Sequence, residues 1–320
     1  MSKKLFIFLV VLFTFVATPS LAAKIEDLPT TPKVGDYIIG PGKTEIKMDP
    51  GQSKTRSIMI TNRYGKDMNF KIEIEDFKGS RVPGENVILL GDQKGPYSLK
   101  DFLHPEVNTF SLKHGQRMNL PVVISIPADA QPGGLYGSVI VTAVPAINSS
   151  TNPDDVVSGN VVVTSRLASL FFVRVSGDAK EDGLLKDFSV DKNFYTDPQI
   201  KFSSVFDNTG NVYLNPYGSL QIKNLLGAKI DEIIVDPYFA MPDSIRVKDF
   251  SLKRSFMFGY YTAELSLNRG YNNIVDEKSV SFWVLPWKAL AVFIGGLFVI
   301  VSIIVLILRW FKANFERKNK

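Results

Sequence analysis

Between Ala289 and Leu308 the chain carries no charged side chain and a single hydroxyl, Ser302, and that run limits the possible folds more than any other feature. About 20 apolar residues are what an α-helix needs to cross the hydrocarbon of a bilayer. Trp287 and Lys288 stand before the run, and Arg309, Trp310 and Lys312 after it; these residue types settle at the two membrane surfaces. Arg317, Lys318 and Lys320 make the end of the chain basic. The positive-inside rule therefore predicts a transmembrane helix over 287–310 and a basic cytoplasmic tail over 311–320. Ala291 and Gly295 have the small-residue spacing through which two such helices pack, which allows a helix-mediated dimer.

The other end carries a second signal. Lys3 and Lys4 precede the uncharged run Leu5 to Val16, and Pro19, Ser20, Leu21 and Ala22 follow, the three-part pattern of a secretion signal over 1–22. Cleavage is expected after Ala22. The alternative, an uncleaved amino-terminal anchor, suffers from an apolar run shorter than a bilayer span. Together the two ends predict a single-pass protein of the cell membrane with everything before the helix outside the cell. Of the formal charge of +5, Lys3 and Lys4 supply +2 and the tail +4 (five basic residues against Glu316), which leaves −1 on the exported part. So neutral an ectodomain lacks the footprint of a nucleic-acid binder, and the basic tail faces anionic inner-leaflet lipid. The chain has no cysteine, which removes disulfides, thiolate catalysis and thiolate metal sites and suits a bacterial surface protein.

The region between has a period of two. Met68, Phe70, Ile72 and Ile74 alternate with Asn69, Lys71, Glu73 and Glu75, and Met118, Leu120, Val122, Ile124 and Ile126 repeat the pattern, as strands with one face in a core do. Ser57 to Thr61, Leu135 to Val144 and Val161 to Val175 read as further strands. A second set follows the polar link Gly177 to Gly183: Ile200 to Phe206, Tyr217 to Ile222, Ile230 to Val235, Tyr260 to Leu267 and Val280 to Val284. No sustained helical period precedes the membrane run. The expected fold is all-β, with two tandem immunoglobulin-like antiparallel sandwiches at 37–177 and 178–286 behind a polar, mobile leader at 23–36. No internal repeat is visible in the sequence.

The stretch "IPADAQPGGLYGSVIV" at 126–141 places a dense set of breakers between two strands. Pro127 and Pro132 block further pairing, while Gly133 and Gly134 permit positive φ, so the chain is expected to turn a corner to the opposite sheet. Tyr136, followed by Gly137, is positioned to hydrogen-bond back across that corner, as in the tyrosine corners of sandwiches. With "DPGQSKTRSIMITN" at 49–62 and "SRLASLFFVRVSG" at 165–177, the stretch resembles the first domain of the WxL-interacting surface proteins of Gram-positive bacteria. The resemblance covers the order of parts over the whole chain and motifs over residues 37 to 177. It implies a peptidoglycan-binding first domain and a second domain that binds a surface partner or host ligand. The segments "FDNTGNVYLNPYGSLQIKN" and "MPDSIRVKDF" depart from that family's pattern, so no partner identity carries over.

Catalytic signatures are missing. His104 and His114 have no Ser, Asp or second His at a known catalytic or metal spacing, and both read as solvated or locally hydrogen-bonded histidines. Gly133, Gly134 and Gly137 do not precede a helix, so they form no phosphate cradle. Asp154 and Asp155, in "AINSSTNPDDVVSGN", suit a hairpin tip better than a glycosidase pair, and a calcium site there would lack EF-hand spacing. Asn148 begins a glycosylation-type string that a bacterial source makes irrelevant. "NTGN" at 208–211 is a turn signal. Tyr238, Phe239 and Met241, flanked by Pro237 and Pro242, have the composition of an exposed partner anchor, against the plainer reading that they cap the second sandwich. The sequence predicts a non-enzymatic binding or scaffold protein without cofactor or metal, engaging cell-wall polymer or a co-displayed surface protein, with strand addition at a sheet edge as one route. A carboxylate hydrolase is the competing reading. A receptor subunit is the third, and its short tail would need a signalling partner.

Overall fold

A computed structural model describes residues 22–145 and 164–318. The signal segment before Ala22, and Asn148, Asp154 and Asp155 with the hairpin expected around them, lie outside the described residues. In chain order the strands are β1 (Lys24–Asp27), β2 (Tyr37–Gly40), β3 (Lys43–Met48), β4 (Ser53–Asn62), β5 (Met68–Lys78), β6 (Ile88–Leu89), β7 (Leu103–Pro105), β8 (Thr109–Leu112), β9 (Gln116–Ser125), β10 (Gly133–Pro145) and β11 (Ser165–Val175). They continue as β12 (Gly183–Val190), β13 (Phe194–Tyr195), β14 (Gln199–Asn208), β15 (Tyr217–Asn224), β16 (Lys229–Val235), β17 (Ser244–Lys253), β18 (Gly259–Asn268) and β19 (Val275–Val284), and α1 (Trp287–Lys318) follows.

β1, β9, β4 and β2 form one sheet, with β7 on β9, and β3, β11, β10, β5 and β6 form a second, with β8 on β5. Their inward faces are the alternating residues of the sequence pattern. Ile58, Ile60, Phe70, Leu120, Val122 and Phe171 are all buried in one cluster. After the link, β12, β14 and β17 make a three-stranded sheet, and β13, β19, β18, β15 and β16 a five-stranded one. These enclose a second cluster that includes Ile200, Phe202, Phe206, Leu220, Leu265 and Phe282. Each large apolar side chain withdrawn from water contributes about 1.5–3 kcal/mol, and this burial holds a fold without disulfides. β9 and β10 belong to different sheets, so the chain does pass from one sheet to the other between Ile126 and Gly133.

Two expectations need correction. Residues 23–36 are not a free leader, because β1 pairs antiparallel with β9 from Lys24↔Asn119 to Asp27↔Gln116. Its sequence, KIED, offers one apolar side chain, Ile25, which is itself exposed. The strand is held by ladder hydrogen bonds at a sheet edge and leaves no alternation to read. Nor are the sheets purely antiparallel: β3 runs parallel to β11 and β13 parallel to β19.

A structural repeat hidden in the sequence also emerges. Asn62 ends β4 and Asn208 ends β14, and both are fully buried. Asn62 Nδ2 donates to the carbonyls of Lys66 (2.9 Å) and Leu112 (2.8 Å), and its Oδ1 accepts from Tyr64 N (2.9 Å). Asn208 Nδ2 donates to the carbonyls of Val212 (2.9 Å) and Ala240 (2.9 Å), and its Oδ1 accepts from Gly210 N (3.0 Å). The same side chain thus closes the same turn in both halves by the same three hydrogen bonds. The "NTGN" turn is organised by its first residue.

α1 is long and apolar enough over Leu290–Trp310 to cross a membrane, and none of that window is buried. Trp287 and Trp310 are exposed at its two ends, as is Arg309.

Candidate functional site

The corner after Ile126 does more than turn the chain. Tyr136 is completely buried, and its hydroxyl does not bond back over its own corner: it accepts the backbone N–H of Tyr213, in the second half of the chain, at 2.7 Å. Burial above all pushes its pKa well above the ordinary tyrosine value. Gly134 N donates to Asn211 O at 2.9 Å, and Asn211 Nδ2 donates to Pro132 O at 3.3 Å. The breakers therefore form a grip on the loop after Asn208. Gly133 adopts φ 144°, open to glycine. At Gly134 an added Cβ would lie 1.9 Å from the Tyr136 hydroxyl oxygen. Gly134→Ala is thus expected to drive the tyrosine out of its seat, orphan the Tyr213 N–H and lower stability by about 2 kcal/mol, read as a fall in the urea midpoint of the full chain in detergent micelles.

Around this grip the two sheet pairs share an aromatic cluster. Phe77, Tyr136 and Phe172 from the first half meet Met241, Tyr213 and Phe239 from the second. The Phe172 ring lies 5.1 Å from Tyr213, 5.5 Å from Tyr136 and 5.6 Å from Phe239, each time edge to face, the arrangement ring quadrupoles favour. Polar contacts rim the cluster. Arg81 bonds Asp207 at 3.0 Å, Tyr97 Oη donates to Asp243 Oδ2 at 2.8 Å, and Ile245 N donates to Ser80 O at 3.0 Å.

On one flank of the junction cations gather on aromatic faces. Lys43 Nζ lies 5.5 Å from the Phe172 ring centre and 5.6 Å from that of Phe239, Arg246 Cζ lies 5.1 Å from Phe239, and Lys248 Nζ lies 5.8 Å from Tyr238. Arg246 and Lys248 share the β17 face that buries Phe250 and Leu252, so both charges point to the core side at the end nearest the junction. Lys43 pairs with Glu45 at 2.5 Å. Among the described residues no ion pair includes Arg246 or Lys248. Arg246 Nε and Nη1 are buried without a hydrogen-bond partner, as is the Tyr238 hydroxyl. Burial pulls the Arg246 pKa down and pushes that of Tyr238 up. For Tyr213, burial first and Glu45 second raise the pKa to about 12. A desolvated guanidinium without a counter-charge is costly, and the arrangement suits an anionic group brought by another molecule. Inward-pointing charge also discourages chance pairing at the free edge of β17.

The segment chosen from sequence as an exposed anchor is built differently. Tyr238 lies in the second core cluster, Met241 in the shared cluster, and Phe239 packs half-buried on Phe172. Tyr238 and Met241 are unavailable as anchors because the Leu214–Ala240 backbone pairing draws their segment into the fold. Gly137 leaves room for Leu99 and Leu103, each 3.1 Å from an added Cβ. His104 faces Val123 across β7 and β9, and His114 Nδ1 accepts from Gly65 N at 3.2 Å. Among the described residues no group of three or more His, Asp or Glu could hold a metal. Lys43, Tyr213, Arg246 and Lys248 were not singled out from sequence. One signal for the last two was available: in "SIRVKDFSL" the parity of Phe250 and Leu252 turns Arg246 and Lys248 inward.

No family model and no curated protein matches the chain. Among solved structures it is similar to the E. coli chaperone DraB (15% identity, 78% of this chain and 97% of that one, TM-score 0.36). It is also similar to the class 5 fimbriae chaperone CfaA (14% identity, 78% and 100%, TM-score 0.36) and to the CsuC–CsuE chaperone–tip adhesion subunit complex of Acinetobacter baumannii (9%, 77% and 98%, TM-score 0.35). These are PapD-like fimbrial chaperones, a different family from the WxL-interacting surface proteins, and the resemblance drawn from residues 37 to 177 is corrected accordingly. A Pro-Gly corner between sheets is demanded by sandwich geometry and does not mark one family. The likeness is one of immunoglobulin-like sandwich architecture. No residue role is taken from it.

Proposed function

We propose that the chain is an exported, single-pass membrane protein that binds a partner protein at the junction of two immunoglobulin-like units, 37–177 and 178–286, without transforming it. The apolar α1 and the basic residues after it support a membrane anchor with a cytoplasmic tail, and the secretion-type start supports an ectodomain outside the cell. The carrying observation is the pair Arg246 and Lys248, two core-facing cations with no ion-pair partner among the described residues, set on the Tyr238 and Phe239 rings. Their occupant is an anionic side chain or carboxyl terminus of the partner, held by charge-assisted hydrogen bonds.

The test uses the intact chain in detergent micelles as bait against envelope extract, with purified peptidoglycan as the competing ligand. Arg246→Met with Lys248→Met is expected to reduce retention of the captured protein at least tenfold, about 1.4 kcal/mol. The unfolding free energy is expected to stay level or rise, because an unpaired buried charge is exchanged for packing. Capture is also expected to weaken with salt. Unchanged capture by the double variant, retention of peptidoglycan alone, or release of new glycan ends sinks the reading.

A further inference from the structure

The second sheet pair closes, at the end away from the junction, in loops that expose apolar side chains. Strand register shows which loops share that end. Gly259 faces Val284 across β18 and β19, Asn224 faces Tyr261 across β15 and β18, and Gln199 faces Lys253 across β14 and β17. The loop before β14, the turn between β15 and β16, and the loop between β17 and β18 therefore open where the chain leaves Val284 for α1. Backbone bonds from Trp283 N to Asn193 O and from Leu285 N to Tyr195 O tie the first loop to that exit, at 2.8 Å each. Arg254 ties the others together through Asp231 at 3.1 Å.

Phe194, on the two-residue strand β13 within the first of these connections, and Leu225, Leu226, Phe256 and Phe258 in the other two are 66, 72, 89, 66 and 52% exposed. Local structure does not require them. The β15–β16 turn is made by Asn224, whose Oδ1 accepts the N–H groups of Leu226 (3.0 Å) and Ala228 (2.9 Å), and by Gly227 at φ 79°. Between the two phenylalanines Met257 alone turns into the core. Soluble surfaces rarely gather so much apolar area in one place unless something covers it.

The helix shows what the cover is. Phe256 and Phe258 form one wall of an apolar groove of about 450 Å³, and Pro286, Leu290 and Phe293 the other. The window Leu290–Trp310 rises about 31 Å at 1.5 Å per residue, close to the ~30 Å of bilayer hydrocarbon. With the window spanning that layer, Leu290 sits at its edge and Phe293 about 4.5 Å inside. Side chains that share a groove with both lie at the same depth. Charges at this end are mixed, with Lys192, Lys229, Lys253 and Arg254 against Asp191, Asp197 and Asp231, so the cover is apolar and has no preferred charge.

We propose that this end of the ectodomain is seated in the bilayer surface. The side chains of Phe194, Leu225, Leu226, Phe256 and Phe258 lie at the boundary of acyl chains and headgroups, and a lipid acyl chain fills the groove beside Leu290 and Phe293. Three loops and the helix together hold the junction at a fixed height and tilt above the membrane. This rests on the proposed reading of α1 as a membrane span.

The test places single tryptophans in the full chain, with Trp283, Trp287 and Trp310 replaced by Phe, reconstituted in phosphatidylcholine vesicles. Phe256→Trp and Leu226→Trp probe the loops, Val301→Trp the middle of the helix, and Val82→Trp, on an exposed turn of the first half, the aqueous reference. The two loop probes are expected to be quenched by lipid carrying a nitroxide near the headgroup end of its acyl chain. They are also expected to be at least threefold less sensitive to iodide than Val82→Trp, in low and high salt alike. Lipid quenching at Val301→Trp without any at the loop probes overturns this inference alone. No quenching at Val301→Trp by lipid carrying its nitroxide near the methyl end of the acyl chain overturns the span reading with it. Loop probes shielded from iodide but not quenched by lipid mean that protein covers them, which also overturns the inference.

Discussion

Asp76→Ala is expected to lower the stability of the full chain by roughly 3–5 kcal/mol, as much as truncating a large core side chain. Asp76 is fully buried on β5, and one carboxylate holds a whole loop. Its Oδ2 accepts from Gly95 N at 3.0 Å, and its Oδ1 from Leu99 N at 3.1 Å and Lys100 N at 2.9 Å. Removing it strands the N–H groups of Gly95 and Lys100, while Leu99 N keeps only its longer bond to Tyr136 O at 3.2 Å, and a hydrogen bond to a charged group contributes about 1.5–3 kcal/mol. Asp76→Asn separates the contributions. The amide keeps one acceptor oxygen for Leu99 and Lys100 but turns its NH₂ toward the Gly95 N–H, so its loss should fall between zero and that of alanine. Urea unfolding of both variants in micelles checks the order, and equal midpoints for wild type, Asn and Ala would falsify the account. The loop reaches the junction, since Tyr97 bonds Asp243 and its ring lies 6.1 Å from that of Tyr136. Asp76→Ala should therefore also weaken partner capture without touching Arg246 or Lys248.

The sequence reported well on whatever side-chain burial alone determines. Phe70, Ile72, Leu120 and Val122 alternate because one face of each strand meets a core, and the unbroken run after Lys288 has the length and composition of a membrane-crossing helix, which is the element found there. Features determined by backbone pairing or by distant contacts stayed hidden. β1 has one apolar residue, and its exposure leaves no pattern. The grip of Gly133 and Gly134 depends on Asn211, more than seventy positions later, so the breakers announced a corner but not what the corner holds. Tyr238 and Met241 have the composition of an anchor, and only the pairing of Leu214 with Ala240 shows that their segment is folded inward. The exposed ring of Phe194, Leu226 and Phe256 is assembled from three loops by strand register, which the order of residues along the chain does not display.

Asn208→Asp should damage the protein more than Asn208→Ala at neutral pH, although aspartate is almost the same shape. The amide nitrogen of Asn208 donates to two buried carbonyls, of Val212 and Ala240. Alanine leaves the Val212 carbonyl without its donor, while Ala240 O keeps the N–H of Leu214 and the Gly210 N–H keeps Asp182 O, at 2.9 Å each, a loss of about 1–3 kcal/mol. Aspartate keeps the acceptor for Gly210 but sets a second, charged oxygen against two carbonyl oxygens, which adds repulsion to the missing bonds. The sign with pH follows. The carboxyl introduced at Asn208 would have a folded-state pKa raised above its unfolded value, so the penalty is largest above the folded pKa and shrinks as pH falls through it and the proton restores one donor. Stability curves of the two variants should therefore converge in acid, and a gap that widens there contradicts the geometry. Asn62→Asp repeats the experiment in the first half, against the carbonyls of Lys66 and Leu112. Hydrogen exchange on the full chain then separates the sites. If each half folds around its own asparagine, protection is lost near Leu112 in one variant and near Ala240 in the other. Ala240 adjoins Met241 in the shared aromatic cluster, so only the Asn208 variants should loosen the seat of Tyr136 and the cations beside it.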